Sequence, residues 1–214
     1  MCISAPTSAF FFLIGTIVNI IIFQKTTNPD YVVFVGIYQF ILLMQVFDFF
    51  AWTDLECGPQ NKIVTKLAFI QNMLQPVVVI VLLLTFTQVK NRNNKLIVSI
   101  ILCAYISIIL YKFYYTDYKA LTCMKPTEQC KHLTYSWWSV IGYDEFASVT
   151  FLTPIITGFL LLLKSRNVAI IQTLYLLLSF FISSQFYACG TASIFCLFAA
   201  GGPLLNYVLM RKNI

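Results

Sequence analysis

Residues 65–88 read TKLAFIQNMLQPVVVIVLLLTFTQ, an apolar run in which Lys66 is the only charged side chain. A helix needs roughly 20 apolar residues to cross a hydrocarbon core about 30 Å thick. The runs are continuously apolar and lack the alternation of transmembrane strands, so the sequence predicts membrane-spanning helices. Including 65–88, seven such spans are predicted, at 8–24, 32–52, 65–88, 96–112, 147–163, 168–186 and 190–210.

The composition is that of one membrane domain. The 214-residue chain is 59% hydrophobic and 10% charged, and its mean hydropathy is +0.82. A soluble domain of this length has too small an interior to bury that much apolar surface. We therefore predict an all-α, multi-pass integral membrane protein of a cell, endomembrane or virion membrane. Residues 1–214 form its single domain, and the lipid bilayer is its first partner.

The charged residues between the spans predict which side each loop faces. With the N-terminus outside, all three arginines and five lysines fall on the inner side. Six lysines and six of the eight acids are then outside. Because cytoplasmic loops are enriched in Lys and Arg, this pattern predicts N-out and C-in. The net charge of +6 follows from that bias and suits anionic lipid headgroups, so we predict no nucleic-acid partner.

Polar side chains inside span two are the first candidate functional residues. Gln45, Asp48 and Trp52 follow i, i+3, i+7 spacing and therefore lie on one helix face. A carboxyl group within a span indicates a proton relay, a cation site or a ligand anchor. The alternative is an acid that hydrogen-bonds to a neighbouring helix and locks the two together.

Span three adds two amides one helical turn apart, Gln71 and Gln75. Pro76 follows directly and has no N–H to donate to the preceding turn, so it predicts a kink. A kink beside amides forms a binding site, or the amides join neighbouring helices by hydrogen bonds. We predict a pocket for an ion or small ligand near the outer side, lined by Gln45, Asp48, Trp52, Gln71 and Gln75.

Small residues in the later spans predict close helix packing. Gly158 lies in span five, and Gly202 lies in span seven directly before Pro203. Small side chains let helix backbones approach each other in a membrane. Pro203 also predicts a second helix kink.

Five of the seven cysteines lie at or near the outer face in this orientation. Cys123 and Cys130 flank the short segment MKPTEQ, so we predict a disulfide between them in an oxidising compartment. Spacing alone decides no other pairing. The chain has no CxxC pattern and one histidine, His132, so we predict no metal site and no cofactor.

The longest predicted outer loop, about 113–146, is rich in Tyr and Trp. Such rings are typical of an interfacial helix in the headgroup region. The alternative is a lid or a surface that binds a partner.

Several motifs resemble a family of uncharacterised multi-span membrane proteins from bacteria, large DNA viruses and algae. The chain begins MCISAPTSAF, where that family begins Met-Cys-Phe-Ser-Ala/Pro. Gln45, Asp48 and Trp52 fall on the family pattern Q-x-x-E-x-x-x-W, with Asp replacing Glu. Gln75 and Pro76 match a Gln-Pro of the viral-type members.

The end of the chain carries a further match to the family pattern W-C-x-x-A-A, at Phe195, Cys196, Ala199 and Ala200. Phe replaces Trp in this match, and the loop 113–146 has no counterpart. The resemblance implies a seven-helix fold and brings no known activity with it. The abundance of Phe, Ile, Asn and Lys is typical of an AT-rich viral genome.

These motifs place Cys2, Asp48 and Cys196 toward the outer side, where we predict that spans one, two and seven surround a polar pocket. A Cys2–Cys196 disulfide would tie the N-terminus across it. Recovery of both as free thiols from the non-reduced protein would contradict this pair.

Three functions are compatible with these features. The first is a channel, transporter or small-ligand-binding protein that uses Gln45, Asp48 and Gln75. The second is a structural or assembly membrane protein that acts through 113–146. An intramembrane enzyme ranks third, because the sequence has no P-loop, GxSxG, HExxH or GxGxxG motif and no base–nucleophile pair. The first is preferred, since an acid with two nearby amides exceeds what packing requires. The sequence sets neither the ligand nor the oligomeric state.

Overall fold

The regular structure of the described chain is entirely helical, which confirms the predicted all-α fold. The computed structural model describes residues 4–87, 91–115, 123–126, 133–134, 145–186, 195, 198 and 200–212. Within those segments the helices are α1 (Ala5–Lys25), α2 (Pro29–Trp52), α3 (Pro59–Phe86), α4 (Arg92–Tyr115), α5 (Glu145–Leu162), α6 (Arg166–Phe186) and α7 (Gly202–Arg211). Lys125 and Thr134 form an isolated antiparallel bridge.

Five helices are long and apolar enough to cross a bilayer: Ala5–Lys25, Pro29–Trp52, Pro59–Phe86, Arg92–Tyr115 and Arg166–Gln185. They are the helices of a membrane-embedded protein. The apolar helix Val149–Leu162 is shorter, and α7 has ten residues, or about 15 Å of helix. The predicted span 190–210 lies partly outside the described residues, so the count of seven spans stays a prediction.

Proline lies in the first turn of four helices, at Pro6, Pro29, Pro59 and Pro203. The N–H groups of that turn have no intrahelical acceptor, so proline loses nothing there. The Ser4 side chain also caps α1 by accepting a hydrogen bond from the N–H of Thr7 at 3.3 Å. Pro203 therefore lies in the first turn of α7, and the predicted kink stays a prediction because the segment before it lies partly outside the described residues. Pro76 lies inside α3.

The middle of the bundle is formed by α2 and α3. Helix α2 packs against α1, α3 and α7. Helix α3 packs against α2, α4 and α5, and α6 packs against α5. Buried apolar side chains of α2, α3 and α5, such as Phe34, Leu83 and Phe159, form the main core. Leu13 on α1 and Leu96 on α4 belong to exposed apolar faces, which lipid covers in a membrane.

Two glycines allow the close packing that the small residues predict. A Cβ atom on Gly158 of α5 would lie 2.5 Å from Cδ1 of Ile80 on α3. A Cβ atom on Gly202 would overlap the ring of Tyr38 on α2. These glycines therefore bring α5 against α3 and α7 against α2.

One end of the bundle is held together by Asp30, at the start of α2. Its carboxylate accepts hydrogen bonds from the backbone N–H groups of Lys164 (3.3 Å) and Ser165 (2.8 Å), between α5 and α6. The hydroxyl of Tyr31 donates to the Leu209 carbonyl on α7 at 3.2 Å. These are the segments that the charge pattern groups on the inner side. Three of those segments therefore lie together, and the assignment of that side to the cytoplasm stays a prediction.

Asp30→Ala removes both acceptors and leaves the N–H groups of Lys164 and Ser165 without a protein partner. We expect the free energy of unfolding to fall by about 1–3 kcal/mol, measured by denaturation in detergent micelles. Asp30→Asn retains one acceptor oxygen and should lose less. The control is Glu56→Ala, which removes an exposed acid and should change little. Native stability in Asp30→Ala would contradict this role.

Candidate functional site

A partly enclosed cavity lies between α2, α3, α5 and α6. It opens to one side, and the space counted between its walls, about 520 Å³, includes that open region. Most of its wall is apolar, with contributions from Ile37, Ile41, Val79, Ile155 and Phe159. Its polar residues are Tyr38, Gln75, Gln172, Tyr175 and Ser179.

The hydroxyl groups of the wall donate to protein acceptors. The Tyr38 hydroxyl donates to Oε1 of Gln172 and so links α2 to α6. The Tyr175 hydroxyl donates to the Phe198 carbonyl. Ser179 Oγ donates to the Tyr175 carbonyl, at 2.7 Å. Since these protons are engaged, a ligand in the cavity finds the hydroxyl oxygens only as acceptors.

Two amides of the wall retain unused donors. Gln75 is 4% exposed and Gln172 is 1% exposed. In the described part of the chain, the Nε2 atom of neither side chain has a hydrogen-bond partner. A buried donor without an acceptor costs about 1–3 kcal/mol. Most buried polar groups in proteins have a hydrogen-bond partner, so these two unused donors require an explanation.

The predicted pocket and this cavity share Gln75. Gln71, one turn away on α3, is buried and donates from Nε2 to the Phe40 carbonyl at 2.6 Å. It joins α3 to α2 and does not line the cavity. Of the two roles that the sequence left open for these amides, Gln71 has the structural one.

The remaining predicted residues lie along α2, beyond the cavity. Gln45 is 2% exposed and Asp48 is 0% exposed. Ile41 lines the cavity. It lies on the same face of α2 as Gln45 and Asp48, because the three residues follow i, i+4, i+7 spacing. Trp52 is half-buried in the last turn of the helix. The buried polar face of α2 thus begins at the cavity and continues toward the end that was predicted to lie outside.

Tyr38 and Gln172 are site residues that the sequence interpretation missed. An amide inside the apolar run 168–186 is the signal that was available, because a buried amide needs a partner. Its pairing with Tyr38 depends on tertiary packing, which places Gly202 directly against the Tyr38 ring. Spacing along the chain gives no indication of that contact.

The other end of the bundle is held by Asn61, in the first turn of α3. Its Nδ2 atom donates to the Met124 carbonyl at 2.8 Å, and its Oδ1 atom accepts from the Met124 N–H at 2.9 Å. The Asp54 carboxylate accepts from the N–H groups of Gly58 and Asn61, both at 2.9 Å. Asn61 and Met124 are fully buried. The described part of the predicted outer loop is therefore fastened to α3.

A disulfide between Cys57 and Cys123 reinforces this attachment, with Cα atoms 5.6 Å apart. The predicted Cys123–Cys130 pair is wrong, because Cys123 is bonded to Cys57 in the turn between α2 and α3. The two are 66 residues apart in sequence, and only the return of the loop to that turn makes them neighbours. Cys2, Cys130 and Cys196 lie outside the described residues, so the Cys2–Cys196 pair stays a prediction.

Peptide mapping of the non-reduced protein is expected to recover Cys57 and Cys123 in one linked pair that separates on reduction. Asn61→Ala should speed reduction of that bond by a membrane-impermeant reductant, because Met124 loses both of its amide partners. Gln60→Ala is the control, since Gln60 is exposed and, among the described residues, bonds to the Phe50 carbonyl and the Thr53 hydroxyl. A linked Cys123–Cys130 peptide would exclude the observed pair.

The chain matches no protein-family model, and comparison with curated proteins and with solved structures finds no match either. The family resemblance of its short motifs stays a prediction.

Proposed function

We propose that this protein binds a small ligand inside the membrane, as a receptor or transporter does, with the ligand in the cavity between α2, α3, α5 and α6. The cavity itself carries the proposal. Helix bundles with a purely structural role fill their interior with side chains, because each void forfeits packing energy. A partly enclosed, mostly apolar space beside two buried amides with unused donors has the features of a binding site.

The buried face of α2 supports the proposal. From Ile41 in the wall, Gln45 and Asp48 extend the same face toward the end of the helix at Trp52. Polar groups inside a membrane bundle are costly and are retained where a solute or ion is handled. In this proposal that buried face extends the polar surroundings of the cavity along α2, and Asp48 marks its outer part.

Photolabelling tests the binding site. Benzophenone is small and apolar, and on irradiation it inserts into nearby C–H bonds. In proteoliposomes we expect saturable adducts on residues of the cavity wall, mapped by mass spectrometry. Ile155→Trp places a larger side chain in the wall and should abolish those adducts.

Leu160→Trp is the matched control, because Leu160 lies on the same helix and is 50% exposed. It should retain the adducts in the cavity. Labelling confined to exposed apolar faces of the native protein would contradict the proposal.

A further inference from the structure

We infer that the ligand is a neutral, lipophilic molecule that carries a hydrogen-bond acceptor such as a carbonyl oxygen. The amide Nε2 groups of Gln75 and Gln172 are its donors. The inference rests on the proposed binding function and names the ligand class for the same cavity.

The donors left in the wall define the polar end of this ligand. The hydroxyl protons of Tyr38, Tyr175 and Ser179 are all donated to protein acceptors. The Nε2 atoms of Gln75 and Gln172 are buried donors without a partner in the described chain. A ligand that satisfies them must accept hydrogen bonds.

Gln172 is oriented for this role before any ligand binds. Its Oε1 atom accepts from the Tyr38 hydroxyl, so Nε2 is the free end of the amide. The Tyr38 ring lies directly against Gly202 of α7, where even a Cβ atom would overlap it. A donor fixed in advance loses little freedom when the ligand binds.

The absence of charged residues in the described wall argues against an ionic ligand. None of the described wall residues carries a charge. A cation would face amide donors with no carboxylate, and an anion would find neither Lys nor Arg. Moving an ion from water into such surroundings is expensive without a charged partner. Phe151, Phe159 and Phe195 are among the wall residues, and they suit an apolar body attached to the acceptor.

A pair of near-identical compounds isolates the acceptor. Benzophenone carries a carbonyl group at the position where diphenylmethane carries a methylene group. Each is used unlabelled to compete with radiolabelled benzophenone for the cavity of the full chain in proteoliposomes. Since one neutral hydrogen bond is worth about 0.5–1.5 kcal/mol, diphenylmethane should compete at least about threefold less well.

A leucine substitution tests whether an amide causes this preference. Gln75→Leu should weaken benzophenone binding about three- to tenfold and leave diphenylmethane binding unchanged. Gln172→Leu is not used, because it would also release the Tyr38 hydroxyl as a new donor in the wall. Gln71→Leu is the matched control, because Gln71 is one turn from Gln75 and bonds to Phe40 outside the cavity. It should keep the preference for the ketone.

Thermal unfolding without ligand separates binding from a structural role. Gln75→Leu should unfold no earlier than the native protein, because the Nε2 atom that it removes has no partner. An earlier transition would assign Gln75 to the fold and overturn its role as a donor.

Equal competition by both compounds, with adducts still in the cavity, would overturn the ligand class and leave the binding function standing. Absence of saturable labelling in the cavity, as expected if it holds only water, would overturn both.

Discussion

Hydrocarbon supplies no hydrogen bonds, so each polar group inside this bundle depends on a partner within the protein or on a bound molecule. This constraint decides how the helices are joined. Gln71 reaches the Phe40 carbonyl of α2, and the Tyr105 hydroxyl of α4 reaches the Met73 carbonyl of α3 at 3.0 Å. Backbone carbonyls already bonded within a helix accept a second hydrogen bond from a neighbouring helix in each case. Some buried polar atoms of the described chain lack such a partner, and two of them are the amide donors of the cavity.

At the two ends of the bundle, different side chains provide hydrogen-bond partners for backbone groups. At the end predicted to lie inside, the Asp30 carboxylate accepts hydrogen bonds from the backbone N–H groups of Lys164 and Ser165. At the opposite end, the Asn61 amide satisfies both the N–H and the carbonyl of Met124. Together these contacts hold the middle of the bundle in register. The Asp30 contacts join α2 to the connection between α5 and α6, and all three helices contribute to the cavity wall.

Hydropathy was sufficient to predict the helical membrane fold, because the length and continuity of an apolar run depend only on local sequence. The same reasoning identified Gln75, since an amide inside a span is visible in one sequence. It did not distinguish Gln75 from Gln71, whose roles differ because Gln71 reaches a backbone carbonyl of α2, while the Nε2 atom of Gln75 has no partner in the described chain. The pairing of Tyr38 with Gln172 and of Cys57 with Cys123 depends on segments far apart in the chain, which spacing does not reveal.

The disulfide from Cys57 to Cys123 also has a topological consequence. Its covalent ring contains the whole of α3 and α4 together with the connection between them. Cleavage of one peptide bond in that connection would therefore give two fragments. The disulfide at the opposite end of α3 and α4 would still join them covalently. While the bond is intact, α3 and α4 cannot be pulled from the membrane as independent pieces, and the wall that α3 gives to the cavity remains attached to the rest of the chain.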